Sequence, residues 1–189
     1  MTLFRTVEPT AEPVTLTEAK AQLRIAHDSE DALLAGLIRA ARTEVEAQTG
    51  MALIEQAWRL SLDSWPYNGI VRLRRHPVRQ ILSVTVYGAE GEAHLVDPDF
   101  YLADIVSRPA RLHFTAPIAP ERRMNGIEID FSAGFGEAGT DVPDLIKRAI
   151  LMLVGHWYEF RAVYGVGSQP VSIPVGFDRL IAGYREGRL

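Results

Sequence analysis

The chain has 189 residues, 47% of them hydrophobic and 23% charged, with 24 acids against 20 bases for a net charge of −4. That is the make-up of a soluble globular protein long enough to bury about 70% of its unfolded surface, so one compact domain is expected. Zero cysteines exclude a disulfide framework and any thiolate metal site, and the acidic balance argues against a protein that grips nucleic acid by neutralising phosphates.

The opening residues, MTLFRTVEPTAEP, lack the apolar core of a signal peptide. The longest strongly apolar run, Ala149 to Val154, falls far short of the ~20 residues that span a bilayer, so no membrane association is expected. Eighteen of the twenty bases are arginine. A GC-rich coding genome explains that bias, and arginine also suits bidentate contacts between subunits.

Residues 1–13 have two prolines and no periodicity, and read as an extended arm or strand. Thr15 then stands three residues before Glu18, the spacing of a capping box in which each side chain satisfies the other's backbone N–H. Leu16, Ala19 and Leu23 fall on one face, which predicts a short helix over 15–25. Asp28 or Ser29 is placed to cap a second helix over 29–49. Its apolar stripe is Leu33, Leu34, Leu37, Ile38, Ala41 and Val45, and Gly50 is its C-terminal stop. At 1.5 Å per residue that helix is a rod of roughly 30 Å.

Period-two alternation follows. Trp58, Leu60 and Leu62 alternate with Arg59, Ser61 and Asp63; Val71 and Leu73 alternate with Arg72 and Arg74; Leu82, Val84 and Val86 repeat the pattern. Further short strands are predicted at 101–106, 112–114 and 127–131, punctuated by proline and glycine turns. Pro143 suits the first position of a long helix over 143–162, with Leu145, Ile146, Ala149, Ile150, Leu153, Val154 and Trp157 as a stripe that can pack on the second helix. Tyr164 to Val175 is too rich in glycine and proline for a continued helix. Extended, those twelve residues would reach roughly 40 Å, which suits an arm. Phe177, Leu180, Ile181 and Tyr184 then recur at helical spacing.

The residues therefore predict an α+β protein. Its helical core, one short helix and two long ones, carries an inserted small antiparallel β-sheet (57–132) and ends in an extended C-terminal arm with a short helix (164–189). No catalytic, cofactor-binding or metal-binding residue is assigned. Gly134-Phe135-Gly136-Glu137-Ala138-Gly139 satisfies GxGxxG, but Thr140 to Pro143 separate it from the next helix, whereas a dinucleotide site starts its helix inside the glycines. The histidines at 27, 76, 94, 113 and 156 have no metal-ligand spacing, and Glu44 and Glu46 look like ordinary surface acids. Arg72, Arg74, Arg75 and Arg79 alternate with core positions and lack interleaved aromatics, so they suit an interface strand better than a nucleic-acid groove. Trp157, Tyr158 and Phe160 exceed what one helical stripe needs, and either cap the core or join them at a subunit contact.

Several stretches occur in a telling order: Thr15-Leu16-Thr17-Glu18-Ala19-Lys20, Leu23-Arg24-Ile25, Leu37 to Arg42, Trp65-Pro66, and Arg75-His76-Pro77-Val78. Then come Tyr87, Phe131-Ser132-Ala133-Gly134-Phe135, Val142-Pro143, Tyr158-Glu159-Phe160-Arg161 and Tyr184-Arg185. Over roughly residues 14 to 186 this order resembles the head-tail connector (adaptor) proteins of long-tailed bacteriophages and phage-like gene transfer agents. The resemblance implies a connector domain at 14–163 and a structural role in a virion neck, assembled in the bacterial cytoplasm. It implies a dodecameric ring of copies that joins the capsid portal protein to a tail-side stopper or tail-terminator protein, with DNA passing non-specifically through the channel. The C-terminal segment would bind the portal through Gly165, Gly167, Pro170, Pro174, Phe177, Arg179, Leu180, Ile181, Tyr184 and Arg185. Ring contacts would come from the helical pair and the sheet edges, with Arg72, Arg74, Arg75, Trp157, Tyr158 and Phe160 as candidates. A stopper or tail-completion protein of the same particle is the nearest rival, and a small nucleotide-binding enzyme using Gly134 to Gly139 a more distant one.

Overall fold

A computed structural model describes residues 1–115, 117–160 and 173–185. It is an α+β fold that divides into two compact units, Met1–Thr10 with Glu55–Phe135, and Ala11–Ile54 with Gly136–Leu189.

The second unit is helical. Helix α1 (Leu16–Leu23) begins with the predicted capping box: the Glu18 N–H donates to Thr15 Oγ1 at 3.1 Å and the Thr15 N–H to Glu18 Oε2 at 2.7 Å. Helix α2 (Asp31–Thr49) starts later than its sequence suggests. Glu30 precedes it without a capping side chain, because Asp28 instead accepts from Lys20, which also reaches Asp31 at 2.8 Å. Gly50, at φ 74°, closes the helix in the left-handed conformation that glycine adopts without strain. Helix α3 (Asp144–Phe160) follows Pro143 and buries Ile146, Ala149, Ile150, Leu153 and Val154. It packs on α2, whose Leu34, Ile38, Ala41 and Val45 are buried. Leu33 and Leu145, read as stripe positions, are 41% and 53% exposed. Each precedes a fully buried residue, Leu34 or Ile146, and one position along a helix turns the side chain by about 100°, off the buried face.

The apolar stripe of α2 also carries charge. Arg42 and Glu46 are both buried, with Arg42 Nη1 3.1 Å from Glu46 Oε2 and Arg42 Nε 2.8 Å from Glu12. The second Glu46 oxygen accepts the Leu53 N–H at 2.9 Å. Glu46 is thus no surface acid: it anchors the segment Met51 to Ile54, all four of whose side chains are fully buried.

The first unit is built from sheets. Strands β1 (Thr2–Val7), β2 (Gln56–Leu62), β4 (Val78–Tyr87), β5 (Ala93–Leu95) and β8 (Ile127–Ala133) form an antiparallel sheet in the order β1-β2-β8-β4-β5. A second antiparallel sheet has the order β3-β7-β6, from β3 (Ile70–Leu73), β6 (Tyr101–Asp104) and β7 (Ala110–Phe114). The expected single small sheet is therefore two. Of the two readings of the opening residues, arm or strand, Thr2–Val7 takes the second: it is an edge strand, with Thr2 opposite Ser61 and Arg5 opposite Trp58.

Alternation in the larger sheet follows its register. Trp58 pairs with Phe131, Leu60 with Ile129 and Leu62 with Ile127, and all six are buried. The opposite face carries Arg59, whose guanidinium bonds both oxygens of Asp130 at 2.7 and 2.8 Å and meets Glu128 at 2.9 Å. Asp130, by its hydrogen bonds and then its charge, raises the Arg59 pKa. One predicted strand position moves. A bulge between Ile81 and Ser83 shifts Leu82 out of register, so Ile81 lies opposite Phe131 and Leu82 is half exposed.

Candidate assembly surfaces

The C-terminal helix α4 (Phe177–Ile181) divides the residues assigned to portal binding. Phe177 and Ile181 are fully buried on α3, so these two large apolar side chains hold the segment to its own chain. This corrects their reading as outward anchors: at i and i+4 they share the helix face that meets α3. Arg185 is also committed, to Asp178 at 2.5 Å and to the Gln48 side chain. Arg179 is exposed, Leu180 and Tyr184 are half-buried, and the Pro174 carbonyl accepts the Phe177 N–H at 3.2 Å. Ile173 and Val175 are exposed, Val175 fully. Gly165, Gly167 and Pro170 lie outside the described residues.

The arginine run is divided too. Arg75 lies over the Trp58 ring with its guanidinium carbon 4.5 Å from the centroid, and Arg79 pairs with Glu55 at 3.1 Å and donates to the Phe135 carbonyl. Both serve the fold. Arg72 and Arg74 are exposed. Among the aromatics at the end of α3, Trp157 is half-buried, Tyr158 donates its hydroxyl proton to Glu30, and Phe160 is 41% exposed and rests on the His156 ring at 4.5 Å.

The glycine motif forms a short 3₁₀ turn, Gly139–Asp141, ahead of α3. Asp141 Oδ2 accepts the Ala138 N–H at 3.1 Å, and the Asp141 side chain fills the space that a Cβ on Gly136 would need. Gly139 lies against the carbonyls of Glu12 and Pro13. The glycines thus let the loop fold onto itself. An anion already takes the backbone donor that a phosphate would use, and its charge repels another. A cleft of ≈ 530 Å³ lies beside the loop, lined largely by apolar groups such as Pro13, Val14, Leu16 and Ile38. Lys147 at its wall is 2.9 Å from Glu18, and that pairing with the Thr15 bonds lowers the Glu18 pKa to about 2. Among the described residues no three acids or histidines are grouped to hold a metal, and no helix is long and apolar enough to cross a membrane.

Residues 13–86 match the profile of the phage gp6-like head-tail connector proteins. Chains of three gene transfer agent (GTA) particle structures share the fold over 100% of this chain and 97% of their own. They are the virion of the native particle (26% identity, TM-score 0.84), the neck of the empty particle with C6 symmetry (26%, 0.81), and the neck of the native particle with C12 symmetry (27%, 0.75). No curated protein matches the chain. The class is that of structural head-tail connectors. Within it, residues 13–86 resemble the gp6-like head-tail connector family.

Proposed function

We infer that this connector is a ring subunit in the neck of a phage-like particle, joining the portal to the tail-side stopper or terminator around a channel for DNA. The observation that carries this reading is end-to-end similarity to GTA chains, two of them from necks with C6 and C12 symmetry. A closed ring of copies is the ordinary consequence of such symmetry.

The C-terminal segment is the portal contact in this reading, with its roles divided. Phe177 and Ile181 hold the base of the segment on α3, while Ile173, Val175 and Arg179 face outward for the partner. Co-purification with the cognate portal, read by native mass, tests it. The full chain is expected to form a ring on the portal, and a truncation ending at Ala162 to lose it. Replacing Val175 and Arg179 together by serine should weaken portal binding while leaving the melting temperature unchanged. If the full chain ignores a well-assembled portal but binds the tail-side protein, it is a stopper or tail-completion protein instead.

A further inference from the structure

Residues 1–10 and 55–135 hold ten arginines and eleven acids, a near balance in which the signs are separated along the chain. Residues 64–89 contain four arginines and no acid. Residues 80–103 contain Glu90, Glu92, Asp97 and Asp99 and neither lysine nor arginine.

On the outer face of the β3-β7-β6 sheet, Arg72 stands directly opposite Arg111. Like charges in that position destabilise a strand pair. Asp104 on β6 answers Arg111 at 2.9 Å, but among the described residues nothing answers the guanidinium of Arg72 or of Arg74. The same face exposes Leu102 (69%) above a shallow depression of ≈ 300 Å³ lined also by Ile70 and His113. The surface thus offers cations beside apolar area.

The segment from Glu90 to Phe100 offers the converse. Its four carboxylates are exposed and form no ion pair among the described residues, and between them Leu95 and Phe100 are 73% and 54% exposed. A cyclic ring is closed by contacts between two different surfaces of each subunit, and those surfaces must fit one another.

We propose that the outer face of the β3-β7-β6 sheet in one copy receives the Glu90 to Phe100 segment of the next copy. Its carboxylates meet Arg72 and Arg74, and Leu95 and Phe100 cover Ile70 and Leu102. This rests on the ring reading above and names the surfaces that close it. A protein partner fits better than a DNA phosphate backbone, which has no use for exposed Leu102 and is repelled by Asp104.

The test uses the full chain, where the absence of cysteine makes an introduced thiol the sole one. His113→Cys and Leu95→Cys chains, both reduced, are exposed to oxidised glutathione each alone and as a mixture. The mixture is expected to give disulfide-linked dimers at least about tenfold faster than either chain alone, since each thiol then meets its partner surface. In parallel, native mass follows assembly of Arg72→Glu/Arg111→Glu and Glu92→Arg/Asp97→Arg chains. Each alone should lose the ring and the two together regain it, with unchanged melting as the control for folding. Rings with no preferential disulfide, or charge-reversed chains that assemble like the unmodified one, would overturn the surface assignment and leave the ring reading intact. Monomers throughout, with the portal present and no disulfide, would overturn both. If Arg72→Glu/Arg111→Glu leaves the ring intact and abolishes salt-dependent binding to duplex DNA, the face belongs to nucleic acid.

Discussion

Two arginines, Arg42 on α2 and Arg72 on β3, divide the work of this protein between them. Arg42 is buried, bound to Glu46 and Glu12, and through Glu46 it fixes the turn that leaves the helix. Arg72 is exposed, faces Arg111 and has no answering acid among the described residues. Around Arg42 charge is matched inside the chain, so it serves stability. On the three-stranded sheet charge is left over, which costs the isolated subunit a little and gives a neighbour something to recognise.

The largest effect is expected where the contrast is sharpest. Glu46→Ala takes one of two carboxylates from the buried Arg42 charge and leaves the Leu53 N–H unpaired, and should destabilise the chain by about 3 kcal/mol. Urea denaturation measures it, and a loss near that of a surface substitution would mean water reaches the pair. An intermediate effect belongs to the start of α1. The Glu18 carboxyl is lowered from 4.5 to about 2 by Lys147 first and by the Thr15 backbone next. A depressed carboxylate stabilises the fold above its unfolded pKa, and that contribution is lost as pH falls from 4.5 toward 2. Thr15→Ala should cost ~1 kcal/mol at neutral pH. In Glu18→Gln, thermal melts between pH 5 and pH 2 should fall less steeply than in the parent. The smallest effect is expected on the exposed sheet: Arg72→Gln should change stability by less than ~0.5 kcal/mol, with the sign toward stabilisation as the repulsion across to Arg111 is relieved. A clear destabilisation there would show Arg72 serving its own fold and would break the comparison.

Local patterns were legible because their causes are local. Thr15 and Glu18 meet across three residues, Gly50 stops a helix by its own backbone freedom, and Pro143 starts one by lacking a hydrogen. The alternation of Trp58, Leu60 and Leu62 gives a strand with one buried face. The misreadings share a cause. Glu46 looked like any surface acid because its partners are Arg42, one turn away, and Leu53, beyond the end of the helix. The partner of β1 lies more than fifty residues along the chain, and pairing at that distance leaves no periodic trace. The bulge that turns Leu82 outward is likewise set by the neighbouring strand β8.

The candidate surfaces divide in the same way. Phe177, Leu180, Ile181 and Tyr184 advertise an amphipathic helix, but their spacing says nothing of whether α3 or another protein covers it. Two of the four prove to be buried at home. Arg72, Arg74, Arg75 and Arg79 form one run in the chain, and only packing separates the pair committed to Trp58 and Glu55 from the pair left outside. The sequence by itself determined the helices, the Thr15 and Gly50 caps, the buried alternation and the order of stretches that resembles the connectors, because each is written in spacings of a few residues. Tertiary structure alone decided the two sheets, the burial of Arg42 with Glu46 and the setting of Arg72 opposite Arg111. Those depend on which distant segments meet, and a charge is neutralised or left over only by what comes to lie beside it.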